Sequence, residues 1–173
     1  AWAYKAGIGY CGYDALDEYD ELILFDGTSF GPVYPLEEMF DAMMSKVDLD
    51  FWGVTKYYGH KELSSSKVDG VYPEHIQTYW IAIRRTMFMS QSFRNYWEKL
   101  GELKDYTEIV ENHEMIFTKH FSDLGFKCDA YVGAEDLGLY IDYPLLYMPY
   151  EIVVNKRCPF IKRRMFFEEY STI

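Results

Sequence analysis

Apolar positions change their spacing several times along this chain, and each change predicts an element. Glu21-Leu22-Ile23-Leu24-Phe25 is a compact apolar run that stops at Asp26-Gly27-Thr28, the pattern of a buried strand closed by a turn. After Pro35, which suits the first turn of a helix, Leu36, Met39, Phe40, Met43 and Val47 recur at steps of three and four. Asp50-Phe51-Trp52-Gly53-Val54-Thr55 predicts a second strand, and His75 to Arg84 a third that is apolar on both faces. Phe93, Trp97 and Leu100 mark a short helix that Gly101 can end. Between Asp105 and Leu124, Ile109, Val110, His113, Ile116, Phe117, Phe121 and Leu124 keep helical spacing, and Gly125 follows as a stop. Cys128 to Val132 predicts a further strand. A short acidic helix is expected across Tyr13 to Tyr19, and a loop from Tyr57 to Tyr72, long enough to suggest function.

Strands alternating with helices predict an α/β sandwich, a mostly parallel sheet flanked by helices. Ligands of such sheets sit beyond the carboxyl ends of the strands, so Asp26 to Thr28 stands where a site is expected. A chain of 173 residues, 49% apolar, has the length for one domain spanning 1–173. It opens on Ala1-Trp2-Ala3-Tyr4, with no initiating Met and no signal-type apolar segment, and is expected to be a fragment of a longer chain.

Charge narrows the choice of partners. A net charge of −11 repels phosphate backbones, which argues against nucleic acid. Cys11, Cys128 and Cys158 are odd in number, far apart and without a Cys-x-x-Cys pair, which fits a reducing, cytoplasmic compartment. The longest mainly apolar stretch, Tyr143 to Val154, is broken by Pro144, Pro149 and Glu151 and is too short to span a bilayer, although contact at the inner face of the membrane is allowed.

Two familiar motifs fail on inspection. Leu22 to Thr28 resembles the first motif of haloacid-dehalogenase phosphatases, but Leu24 occupies the nucleophile position and cannot form an aspartyl phosphate. His113-Glu114 has its next histidine at His120, where a zinc protease needs histidines four apart on one helix face.

Several stretches together carry a wider likeness. They are Asp20-Glu21-Leu22-Ile23-Leu24 running into Phe30-Gly31-Pro32, Glu37-Glu38-Met39-Phe40, and Asp50 to Thr55. His75-Ile76-Gln77-Thr78-Tyr79, the helix with Glu114 and Thr118 up to Gly125-Phe126, and Arg157-Cys158-Pro159-Phe160-Ile161-Lys162-Arg163 continue it. In order and spacing the chain resembles the rhamnan synthesis protein F family along nearly its whole length. The resemblance implies a GT-A-like glycosyltransferase that uses the nucleotide-sugar donor dTDP-L-rhamnose to extend surface polysaccharide on a lipid-linked saccharide acceptor. Two departures stand out. The family usually carries paired Asn or Asp with a following Ser after the first strand, where this chain has Asp26, Gly27 and Thr28. It also has a strand, a helix and an Asp-Phe-Gly segment before the point where this chain starts, so the GT-A-like core expected here lacks its first strand–helix unit.

Sugar transfer needs a clamp for the departing diphosphate, a base for the acceptor hydroxyl and a surface for the sugars. Asp26 with Thr28 resembles a reduced Asp-x-Asp site for a divalent cation, Mg²⁺ or Mn²⁺; the alternative is a turn-forming Asp-Gly pair. Glu114 falls on the apolar stripe of its own helix, where burial would raise its pKa toward that of a useful general base; the alternative is a helix-edge Glu paired with His113. His75, Gln77 and Tyr79 share one side of a strand and could bind the acceptor, or could be satisfied strand-end groups. Lys156, Arg157, Lys162, Arg163 and Arg164 could neutralise a diphosphate, with Arg163 as the donor-binding candidate, or touch a membrane surface, or form a solvated edge. Arg163 and Arg164 could not both face one site if they lay in a strand. A non-catalytic carbohydrate-binding module and a phosphate-ester hydrolase using Asp26 stand as rival readings.

Overall fold

The computed structural model describes residues 1–59, 73–138, 141 and 143–167. Helices α1 (Trp2–Cys11) and α2 (Tyr13–Leu16) open the chain, separated by Gly12, whose φ of 74° suits glycine. Strand β1 (Glu21–Phe25) runs into the short β2 (Ser29–Phe30), then α3 (Leu36–Met44), whose first turn carries Glu37 and Glu38 at the positive end of the helix. Strands β3 (Phe51–Gly53), β4 (Lys56–Tyr57), β5 (His75–Ile76) and β6 (Trp80–Arg84) follow. Next come α4 (Arg85–Phe88), α5 (Gln91–Lys99), α6 (Tyr106–Ile109), a π-helical turn over Val110–Glu114, and α7 (Met115–Asp123). Strand β7 (Cys128–Ala130), helices α8 (Glu135–Gly138) and α9 (Pro144–Tyr147), a π turn at Glu151–Asn155, strand β8 (Ile161–Lys162) and a 3₁₀ turn at Arg163–Phe166 complete it.

The main sheet has the order β1-β6-β3-β7. Strand β6 is antiparallel to both β1 and β3, while β3 and β7 are parallel. The sheet is therefore mixed, which corrects the expectation of a mostly parallel one. Strands β1, β3 and β7 still point the same way, and their carboxyl ends meet the start of β6 along one edge. Antiparallel neighbours such as β6 and β3 need no crossover helix between them.

Alternation along the strands divides the core in two. Leu24, Phe51, Ile81 and Ile83 face one layer with Phe93, Trp97, Phe117 and Phe121; Trp52, Trp80 and Ala82 face the other with Met39, Met43, Leu145 and Ile152. Side chains two apart share a face, so one sheet serves two helical layers. Among the described residues no helix is long and apolar enough to cross a membrane.

Two sequence expectations change in detail. The strand expected from His75 to Arg84 is broken at Gln77 to Tyr79, so β5 pairs with β4 in a separate ribbon and β6 begins afresh at Trp80. A Cβ on Gly53 would collide with the Ile76 side chain, so glycine lets β5 cross close over the end of β3. Most of the expected loop, 60–72, lies outside the described residues.

Candidate active site

At the edge where β1 ends and β6 begins, the chain encloses a cavity of about 780 Å³. Asp26, Thr28, His75, Gln77, Tyr79, Glu114 and Arg163 all line it. The fold thus brings these seven candidate residues together, while Lys156 and Arg157 of the basic cluster lie outside the cavity.

Asp26 caps β1, its backbone N–H donating to the Tyr79 carbonyl at 3.0 Å. Its Oδ1 accepts from the Thr28 N–H at 2.8 Å and from the Thr28 hydroxyl at 2.5 Å, a compact turn locked by its own side chain. Arg163 braces that turn twice: its N–H donates to the Thr28 carbonyl at 2.9 Å and its Nη1 to the Gly27 carbonyl at 2.7 Å. The turn alternative for Asp26 is therefore realised, on the cavity wall.

Lys162 stands beside it. The strand β8 ends at Lys162, and the 3₁₀ turn that follows lets Arg163 and Arg164 line the cavity with it. The objection that adjacent arginines cannot share a site holds only for a strand. Lys162 is 7% exposed. Its Nζ lies 3.3 Å from the Thr28 hydroxyl and 3.7 Å from the centre of the Tyr79 ring. Burial pushes its pKa down to about 8, against the charges of Glu114 and Asp26, which support the ammonium form. The other two basic residues are tied off elsewhere: Lys156 pairs with Asp136 at 2.8 Å, and Arg157 forks onto Glu38 and covers the Tyr34 ring.

Glu114 ends the π-helical turn, a feature often found at functional sites. Its Oε2 accepts from the Thr78 hydroxyl at 3.2 Å, and its Oε1 lies 3.7 Å from His75 Nε2. Four residues on, the Thr118 hydroxyl accepts from the Ile76 N–H at 3.0 Å and fastens β5 to the same helix face. Burial alone would raise the Glu114 pKa; the contact with His75 and the charges of His75 and Lys162 outweigh it, and the net shift is downward. The expectation of a raised pKa is thus reversed, because burial comes with partners. The alternative pairing with His113 is also not formed. His113 turns into the core, bonds the Tyr96 hydroxyl at 2.8 Å, and burial pushes its pKa down to about 4.

The acceptor candidates are more committed than expected. His75 Nδ1 donates to the Pro73 carbonyl at 2.7 Å, and its ring stacks on Tyr57 at 5.1 Å. The Thr55 hydroxyl donates to Gln77 Oε1 at 2.7 Å and lies 3.0 Å from the Tyr79 hydroxyl. One face of Tyr79 carries the Lys162 ammonium, so that ring is not an open floor for a sugar. Tyr57 and Tyr143 also line the cavity, their rings edge to face at 6.2 Å.

The model of the rhamnan synthesis protein F family matches residues 1–173, the whole chain. The chain belongs to that family. No curated protein and no solved structure gives a significant match.

Within this rhamnan synthesis family member, Asp26 and Thr28 make a thin ligand set for a resident Mg²⁺ or Mn²⁺. One Asp26 oxygen already accepts two bonds, and the Lys162 ammonium stands 3.3 Å from the Thr28 hydroxyl. Among the described residues no group of three or more His, Cys, Asp or Glu side chains could hold a metal. Sequence reasoning gave no role to Thr78 or Tyr4 and named Lys162 only as one of five basic residues that could neutralise a diphosphate. Thr78 lay inside a quoted motif, and Lys162 inside the basic cluster, but only the fold tells which cluster members point inward. Tyr4, whose hydroxyl donates to the Thr78 carbonyl at 3.0 Å, gave no signal.

Proposed function

We propose that this cavity transfers a sugar, L-rhamnose, from the nucleotide-sugar donor dTDP-L-rhamnose to a lipid-linked saccharide, in a GT-A-like arrangement. The observation that carries the reading is the convergence of Asp26, Thr28, Lys162 and Arg163 at one end of the cavity with Glu114 and His75 in the same space, in a chain of the rhamnan synthesis family. A diphosphate finds cations at the first end, and a neutral hydroxyl finds a carboxylate at the second.

In an inverting transfer, the acceptor oxygen attacks the anomeric carbon while Glu114 takes its proton. The bond from that carbon to the diphosphate oxygen breaks, and its electron pair leaves with the nucleotide. A lowered pKa keeps Glu114 anionic at neutral pH, so it is always in the form a base requires. The Gln77 side-chain amide orients sugar hydroxyls, its carbonyl being held by Thr55. Exposed Phe166 and Phe167 beside Arg163 offer the mixed apolar and basic chemistry that suits the lipid end of an acceptor at the membrane face.

The test is rhamnosyl transfer by the protein with Glu114→Gln beside wild type. Transfer should fall roughly 100-fold to 10,000-fold, the share of a general base, with donor binding retained. Equal transfer by both would remove Glu114 from the reaction. Saccharide binding without binding of dTDP-L-rhamnose would favour a non-catalytic carbohydrate module.

A further inference from the structure

Lys162 is a buried charge in the main cavity whose near partners are a hydroxyl and an aromatic ring. It is 7% exposed, and it forms no ion pair among the described residues. An ammonium has three protons to donate, and Lys162 places one near a hydroxyl at 3.3 Å and faces an aromatic ring with the others. Such burial costs stability unless something repays it, and Glu114 and Asp26 support the charge only from beyond ion-pair range. Arg163 adds charge on the same wall. Arg163 is held by the Gly27 carbonyl, a neutral partner that fixes its direction without cancelling its charge. The Asp26 turn, in contrast, spends its carboxylate on Thr28.

We propose that Lys162, with Arg163, neutralises the departing diphosphate in place of a resident divalent cation, so that phosphoanions bind this site without metal. The identity of the ligand as a sugar nucleotide rests on the function proposed above; the phosphoanion chemistry does not. As the anomeric carbon–oxygen bond breaks, the electron pair moves onto a diphosphate oxygen, and the Lys162 ammonium meets that growing charge. Asp26 then serves as a positioning residue that holds Thr28 and, through the Gly27-Thr28 turn, the Arg163 fork.

The experiment is calorimetric titration of this chain, freed of metal with a chelator, with inorganic pyrophosphate, dTDP and dTDP-L-rhamnose, each repeated in Mg²⁺. Pyrophosphate and dTDP should bind in chelator, with affinity changed less than about threefold by Mg²⁺. Lys162→Met should weaken both by tenfold or more, and Arg157→Ala, outside the cavity, should change neither. Binding only in Mg²⁺, unchanged binding by folded Lys162→Met, or no binding of pyrophosphate and dTDP under either condition overturns the proposal. The wild-type chelator arm decides the metal question even if Lys162→Met does not fold. Pyrophosphate bound in chelator while dTDP-L-rhamnose fails to bind would keep this clamp and discard the transferase reading. Donor binding that requires Mg²⁺ would do the reverse.

Discussion

The two ends of the cavity handle charge in opposite ways. At the Glu114 end the protein answers its own charge: Thr78 donates to one oxygen, His75 lies beside the other, and the carboxylate pKa is drawn down despite burial. At the Lys162 end the nearest partners are a hydroxyl and a ring face, and burial dominates. A self-satisfied end suits a neutral acceptor hydroxyl, which brings no charge. An unsatisfied end suits an anion that arrives with the donor. Burial of a charge therefore has different meanings at the two ends, and the partners decide which.

Breaking the matched end should have the largest effect. His75→Leu leaves the Glu114 carboxylate with less compensation for its burial, so transfer should lose much of the roughly 100-fold to 10,000-fold due to a base. The acid limb of the pH–rate profile, which for wild type lies below the ordinary carboxylate value of 4.5, should move upward in this variant. A pH–rate series on both proteins checks this, and an unmoved limb would show that His75 does not tune Glu114.

The unmatched end should show its cost in stability. The folded pKa of Lys162, about 8, lies below its ordinary 10.5, so the fold binds fewer protons than the unfolded chain between those values. The penalty is full below about 8 and fades as pH rises toward 10.5. Lys162→Met should therefore be more stable than wild type at neutral pH by about 2 kcal/mol, a gain that shrinks toward pH 10.5. Denaturant melts across that range read the difference directly. A variant less stable at neutral pH would mean that the ammonium is already neutralised.

Packing that supports both ends gives a comparable effect. Gly53→Ala places a methyl against Ile76 and should cost about 1–3 kcal/mol, moving His75 and Gln77 with β5. Thermal unfolding checks it. The smallest effect belongs to Arg157→Ala, which removes an exposed pair with Glu38 outside the cavity and should leave the unfolding midpoint close to that of wild type.

The sequence disclosed elements better than their directions. β1, β3 and β7 were legible because short apolar runs bounded by turn residues leave few alternatives, and α5 and α7 because Phe93, Trp97, Phe117 and Phe121 keep helical spacing. An apolar run carries no record of its partner strand, so the antiparallel placement of β6 was invisible. The break at Gln77 to Tyr79 hid because its residues continue the alternation of β5. Helix α1 escaped notice since Gly7 and Gly9 interrupt it and Ile8 is its one fully buried residue. Among candidate site residues, position was legible and partnership was not. Glu114 stood out as a carboxylate on an apolar stripe, but the sign of its pKa shift depended on His75, distant in sequence. The basic cluster was plain, whereas its division into surface pairs and cavity cations depended on where β8 stops.

The central claim is that this cavity holds a nucleotide-sugar donor. Titration of the chain with dTDP-L-rhamnose, carried out with and without Mg²⁺ and repeated with Asp26→Ala, tests it most directly. The account predicts saturable binding at one site, lost or strongly weakened when the Asp26 turn is removed. No binding by folded wild-type chain under either condition, or binding indifferent to Asp26→Ala, would contradict it.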